Sequence, residues 1–269
     1  ASPDVRDILT AIQQGHTPSE TEIVRLFRAR GDDVGAICHT ADALRKNLNG
    51  DTVTYVVNRN INYTNICAHA CGFCAFSKGR GADNLRGKPY DLDLSEVSRR
   101  AHEAVARGGT EVCMQGGIHP AYTGETYLKL LGAVKAAEPG LHIHAFSPLE
   151  VRHGAATLGL GLDEYLTRLK DAGLGSLPGT AAEILDDEVR AVICPDKLNT
   201  AEWLETVEAA HRVLLGAQST PDAMLAARCA RCVARVACIA RAPRHASTSQ
   251  LGTAPSAPSS NAGSFFVVV

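Results

Sequence analysis

The sequence predicts an α/β protein built on a parallel sheet, an incomplete (β/α) barrel with a helical preface and a disordered tail. Three observations lead there. Short β-type runs alternate with helix-length amphipathic stretches, an order that demands right-handed crossovers and parallel pairing. About four such strand units are readable between Val53 and Pro178, with one more near Val189 to Ile193, fewer than the eight of a closed barrel. Beyond residue 215 the composition changes and no comparable alternation follows.

Residues 1–50 form the preface. Two or three amphipathic helices run from residue 4 to about 47, with Pro18, Ser19 and Glu22 marking a helix start and Ile23, Leu26 and Phe27 following at helical spacing. Residues 51–215 form the barrel portion. Val53, Tyr55, Val57, Ile61 and Tyr63 give the first strand, ending near Asn65. A helix from Ser95 to Arg107, a strand from Glu111 to Gln115, a helix from Gly124 to Ala137 and a strand from Leu141 to Phe146 follow. Then come helices at Leu149 to Leu158 and Asp163 to Ala172, a short strand at Gly175 to Pro178, and a last helix from Thr200 to Leu215 carrying Trp203, Leu204 and Val207. In a barrel, chemistry sits on the loops that leave the C-terminal ends of the strands.

Residues 216–269 read as a low-complexity, disordered tail: no Lys, one acidic residue (Asp222), many Ala and Arg, and a Ser/Thr/Pro-rich run from Ser247 to Ser260. Cys229, Cys232 and Cys238 invite comparison with a second cluster site, but the composition favours translation out of frame in a GC-rich gene. Phe265 to Val269 is expected to be an aggregation-prone end rather than a strand.

A net charge of -2, from 27 Lys+Arg against 29 Asp+Glu, excludes an electrostatic nucleic-acid or anionic-membrane binder. No stretch reaches the length of a membrane span, and Asp4, Arg6 and Asp7 interrupt any signal-peptide core, so a cytoplasmic location is expected. Ala1 fits either removal of an initiator Met or a domain cut from a longer polypeptide. Nine cysteines in a reducing compartment favour metal ligation over a disulfide framework.

Cys67, Cys71 and Cys74 fall within eight residues, spaced C-x3-C-x2-C, directly after the first strand. Thiolates are the standard ligands of iron-sulfur clusters, and three ligands for four irons leave one iron open to chelate S-adenosylmethionine (SAM). The cluster's electron would then break a carbon-sulfur bond of SAM and release a 5'-deoxyadenosyl radical. A structural zinc site is the bland alternative, but it lacks a fourth ligand from a second pair: His69 lies inside the loop and Cys113 on another strand. Cys38, Cys113 and Cys194 are expected to lie away from the loop and to serve packing. After the strand that ends at Gln115, Gly116 and Gly117 would let the backbone approach a ligand closely, which suits the SAM amino group.

Five segments resemble one family: Thr54 to Asn65, the cysteine loop, Met114 to Pro120, His142 to Glu150 and Gly175 to Glu183. It is the tyrosine-cleaving half of FO synthase, 5-amino-6-(D-ribitylamino)uracil:L-tyrosine 4-hydroxyphenyl transferase, and the resemblance runs from about Val5 to Arg212. It implies a radical SAM (β/α) barrel, a 4Fe-4S cluster held by Cys67, Cys71 and Cys74, and SAM as cofactor. The implied reaction starts with hydrogen abstraction from L-tyrosine; a 4-hydroxybenzyl radical then adds to the ribityl-uracil. An electron donor and a partner radical SAM half, fused or separate, are implied as well. Phe73 would contact adenine, and Gly116 and Gly117 the SAM amino group. Ser147 and Glu183, with His119, His144, Tyr63 and Asn65, are strand-end candidates for SAM or substrate, each with a structural hydrogen bond as its alternative. Radical SAM enzymes of the futalosine route to menaquinone are the nearest confusion, and an inactive cluster-binding fragment is the third reading. Family members continue past Arg212 with the units that close the barrel; this chain changes character near Val213.

Overall fold

The computed structural model describes residues 1–53, 55–69, 71–74, 76–77, 88–180 and 182–214, and the backbone of 265–268. The expectations for the rest of the tail, including Cys229, Cys232 and Cys238, lie outside the described residues. The preface consists of α1 (Pro3–Gln13), α2 (Glu20–Phe27) and α3 (Asp32–Asn49). α2 starts where the sequence predicts, because Ser19 and Glu22 form a reciprocal capping box in which the Ser19 N–H and hydroxyl both donate to the Glu22 carboxylate at 2.7 Å. Arg25 ties the three helices together by donating to Asp4 and Asp33.

The sheet has the order β3-β2-β1-β4. β1 (Val56–Asn62), β2 (Glu111–Gln115) and β3 (His142–Ala145) are parallel, and their connections carry α4 (Leu94–Ala106) and α5 (Gly124–Ala137). Then follow α6 (Pro148–Leu158), α7 (Leu162–Asp171), α8 (Asp187–Ile193) and α9 (Thr200–Leu214). Alternation along the strands divides the sheet into two unlike faces. Ile61, Val112, Met114, Ile143 and Ala145 point into an apolar core with Val97, Ala101, Leu130, Leu131, Val134 and Leu166 of the covering helices. Residues one step out of phase, Asn58, Asn60 and Asn62 of β1 with Glu111, Cys113 and Gln115 of β2 and His142 and His144 of β3, form the opposite face.

Three expectations need correction. The run from Val189 to Ile193 is not a strand but part of α8. Asp186 caps that helix by accepting from the Glu188 and Val189 N–H groups, and buried Arg190 anchors it by donating to the carbonyls of Ala182 and Leu198. A run this short has no periodicity that separates helix from strand. Gly175 to Pro178 contributes only an isolated parallel bridge, His144 to Ser176. Phe265–Val268, expected to be a loose end, forms β4, antiparallel to β1 with Arg59 opposite Phe265; an unpaired strand edge is a template that an apolar segment readily joins. Among the described residues three strands run parallel, fewer than a closed barrel has, in keeping with the incomplete barrel that the sequence predicts.

Candidate active site

The loops leaving β1, β2 and β3 converge at one end of the sheet. After β1, Thr64 and Asn65 are fixed by Tyr90: the Thr64 hydroxyl donates to its carbonyl, and the Asn65 carbonyl oxygen accepts its N–H at 2.8 Å. Asn65 is therefore committed to this loop rather than free for a ligand. The cysteine segment comes next. Its first part is pinned to the loop after β2, with Ala68 N–H donating to the Ile118 carbonyl at 2.8 Å and Ile118 N–H to the Cys67 sulfur at 3.3 Å. Gly117 makes this fit possible, since a Cβ there would meet the Ile66 carbonyl and lie 2.8 Å from Cys67 Cβ. Gly116 is under the same constraint from the ring of Tyr63.

The other part of the cysteine segment rests on the chain after α8. Gly72 N–H donates to the Ile193 carbonyl at 2.9 Å, and the Lys197 ammonium lies 5.2 Å from the centre of the Phe73 ring. Lys197 is held in turn by Glu183 at 2.9 Å. Glu183 sits at φ 44, a left-handed conformation that a non-glycine residue adopts only when its surroundings hold it there. Burial pushes the Cys71 thiol up to about 11, against the opposing pull of Lys197. Cys194 is buried directly after Ile193, whose carbonyl holds Gly72 N–H of the loop, so the expectation that it lies away from the loop is corrected.

Beneath both, Glu150 is fully buried at the first turn of α6 and gathers the strand ends. One of its oxygens accepts from the Tyr63 hydroxyl and, at 3.1 Å, from Gly116 N–H; the other accepts from the Ser147 N–H and hydroxyl, both at 2.6 Å. Burial raises the Glu150 carboxyl above its ordinary value, with these hydrogen bonds acting against the rise, and burial raises the Tyr63 phenol too. Tyr63 and Ser147, predicted as ligand contacts, are thus engaged with Glu150. Phe146, buried at φ 66, turns the chain from β3 into this cap. His119 accepts from Ala121 N–H at 3.1 Å and stacks on Tyr122, while His144 lies on the polar sheet face with its ring nitrogen 2.7 Å from the Ser176 hydroxyl.

Cys67, Cys71 and Cys74, Phe73, Gly116, Gly117 and Glu183 are therefore brought together around one loop, whereas His144 is on the sheet itself. Glu150, Lys197 and Cys194 were missed. Only Glu150 had a local signal, the Ser147-x-x-Glu150 spacing of a capping box. Among the described residues no three His, Cys, Asp or Glu side chains converge as ligands of a single metal ion. The donor set fits a cluster: three free thiols on one loop, Cys67 and Cys74 each accepting a backbone N–H, at 3.3 and 3.4 Å, and a buried His69 ring nitrogen without a partner. No helix among the described residues is long and apolar enough to cross a membrane.

Residues 61–220 match the radical SAM superfamily. The chain is 48% identical over 218 residues to FO synthase of Streptomyces coelicolor, covering 81% of this chain and 25% of that protein. It is 49% identical over 203 residues to the 5-amino-6-(D-ribitylamino)uracil--L-tyrosine 4-hydroxyphenyl transferase of Trichormus variabilis, covering 74% of this chain and 51% of that one. The chain thus spans between a quarter and a half of the length of these relatives. Among solved structures, the FeFe-hydrogenase maturase HydG from Carboxydothermus hydrogenoformans superposes with a TM-score of 0.59 at 20% identity, covering 78% of this chain and 46% of that one. Methylornithine synthase superposes with a TM-score of 0.56 at 15% identity, covering 76% and 56%. Both share the fold. With the match spanning more than half of the sequence and including the three-cysteine loop, this chain belongs to the radical SAM superfamily.

Proposed function

We propose that this chain is the cluster-bearing part of an enzyme that joins the 4-hydroxybenzyl group of L-tyrosine to 5-amino-6-(D-ribitylamino)uracil, the step that leads to the deazaflavin FO. One observation carries the reading: near-half identity to proteins bearing these names runs through the segment whose loops meet at Cys67, Cys71 and Cys74. When bound there, a 4Fe-4S cluster supplies the electron that opens a carbon-sulfur bond of SAM. The three cysteines hold it. Gly116 and Gly117, lacking side chains, leave the backbone after β2 open to the SAM amino group, and Phe73 offers a half-exposed ring to adenine. Ser147 and Glu183 act on this seat through Glu150 and Lys197. The reaction would take place in the cytoplasm, with an electron donor and a second radical SAM half, fused or separate, that closes the ring.

The open sheet favours a qualification of turnover rather than of cluster binding. A radical survives when water is excluded, and the three parallel strands among the described residues do not by themselves enclose it. The test is anaerobic reconstitution of the chain as it stands. About four irons per chain are expected, with slow SAM cleavage and little coupled product. Changing Cys67, Cys71 or Cys74 to Ala should abolish cleavage. Cleavage that survives any one of these changes, or that tyrosine never stimulates even in a version carrying the C-terminal part of the relatives, refutes the proposal.

A further inference from the structure

The apolar face of the sheet follows from the helices that cover it; the other face does not follow from packing. In an α/β barrel whose interior is a core, the inward positions are filled by Val, Ile and Leu. Here the inward positions are polar and lie in register. Asn58 pairs with Glu111 and Asn60 with Cys113, and Cys113 pairs with His144, which is bridged to Ser176. The direction of these side chains is set by their neighbours in sequence. Arg59 donates to the Arg100 carbonyl and to Glu103 on α4, and Ile61 is in the apolar core, so Asn58, Asn60 and Asn62 face the other way.

The chemistry of this face is specific. Three side-chain amides stand at every second residue of β1, each able to donate and to accept. Asn58 reaches Glu111 at 3.5 Å, and His144 meets the Ser176 hydroxyl at 2.7 Å, with burial pushing its imidazole toward the neutral form. None of the inward strand positions is Lys or Arg, and Glu111 brings a carboxylate, with the His142 ring nitrogen 3.7 Å from it. A free amino acid brings an ammonium, which Glu111 could take, but also a carboxylate, for which these strand positions hold no Lys or Arg. A neutral chain of hydroxyls, in which every group both donates and accepts, matches it.

We propose that the inward face of β1, with Asn60 and Asn62 at its centre, is the subsite for the polyhydroxylated ribityl chain of the aminouracil substrate rather than for tyrosine. This rests on the function proposed above and assigns that reaction's neutral substrate to named residues.

The test measures binding to the full chain, reconstituted anaerobically, by calorimetry with two probes: 5-amino-6-(D-ribitylamino)uracil and 5,6-diaminouracil, which lacks the polyol. The wild type should bind the ribityl compound more tightly. Asn60→Leu and Asn62→Leu, close in shape but without hydrogen-bonding groups, should each weaken the ribityl compound about tenfold, the worth of one hydrogen-bonded contact, and leave diaminouracil within about twofold. A thermal melt of each variant confirms folding, and Asn60→Gln and Asn62→Gln, which keep the amide, should each retain part of the affinity that Leu at the same position removes. If the wild type binds neither probe, the functional reading falls and this assignment with it. If the wild type prefers the ribityl compound but the Leu variants bind it unchanged, or lose both probes equally, the assignment to β1 alone is overturned.

Discussion

Removing the Glu150 side chain should be among the most damaging single changes outside the cysteines. In Glu150→Ala, four donors lose their acceptor at once: the Tyr63 hydroxyl, the Gly116 N–H, and the N–H and hydroxyl of Ser147. A buried donor left unpaired costs about 1 to 3 kcal/mol. Water entering the vacated space recovers part of that, and removing a buried carboxyl offsets more. A net loss of about 3 to 5 kcal/mol is expected. Glu150→Gln keeps one accepting oxygen and turns an NH2 toward the other pair of donors, so about 1 to 3 kcal/mol should be lost. Urea unfolding reports both, followed through Trp203, the single tryptophan, which is 5% exposed. An Ala variant that loses less than about 1 kcal/mol, or less than the Gln variant, would refute the idea that this carboxyl gathers the strand ends.

The same residue makes a pH prediction. Burial raises its carboxyl above the ordinary 4.5, so the native state keeps a proton that the unfolded chain has released. Its stabilising contribution is complete below about pH 4.5 and declines as pH rises through the folded value, so the stability gap between wild type and Glu150→Gln should narrow upward from there; a gap that widens contradicts the shift. Gly117→Ala, whose new Cβ meets the Ile66 carbonyl and Cys67, should cost about 1 to 3 kcal/mol and lower iron content after reconstitution, whereas full iron loading would show that the cysteine loop tolerates displacement. Gly132→Ala places a Cβ in open space within α5 and should stabilise by about 0.5 to 1 kcal/mol, seen as a raised melting temperature; a lowered one would mean α5 is constrained at that point.

What the sequence revealed and what it hid divide along the range of the interactions. α2 could be read from Ser19 and Glu22 because a capping box is complete within four residues, and β2 and α5 from periodicity within one element. The cysteine loop was legible because its three thiols lie close together in sequence. α8 was not, since seven residues of mixed Val, Ile and Arg have no telling period, and its fixing contacts come from Ala182 and Leu198. Glu150 stands in the first turn of α6 while its partner Tyr63 follows β1, and nothing in either neighbourhood announces the other. The nearness of Cys194 and Lys197 to the cysteine loop is hidden for the same reason. For Tyr63 and Ser147 the sequence leaves open a ligand contact or a structural hydrogen bond, and both make hydrogen bonds in this buried network.

The seat of the cysteine loop has two sides that leave the ribosome at very different times. Cys67, Cys71 and Cys74 emerge early, and the Ile118 side follows after the next helix. Ile193 and Lys197, which hold Gly72 and Phe73, are made only with the end of the third helix after β3. Until then the three thiols are present on a nascent chain with half of their support missing, exposed to oxidation and to any metal that reaches them first. Delivery of iron and sulfide therefore has a natural earliest moment, the appearance of the segment after α8. A messenger that ends before it would yield a polypeptide with all three thiols but without the contacts that hold Gly72 and Phe73.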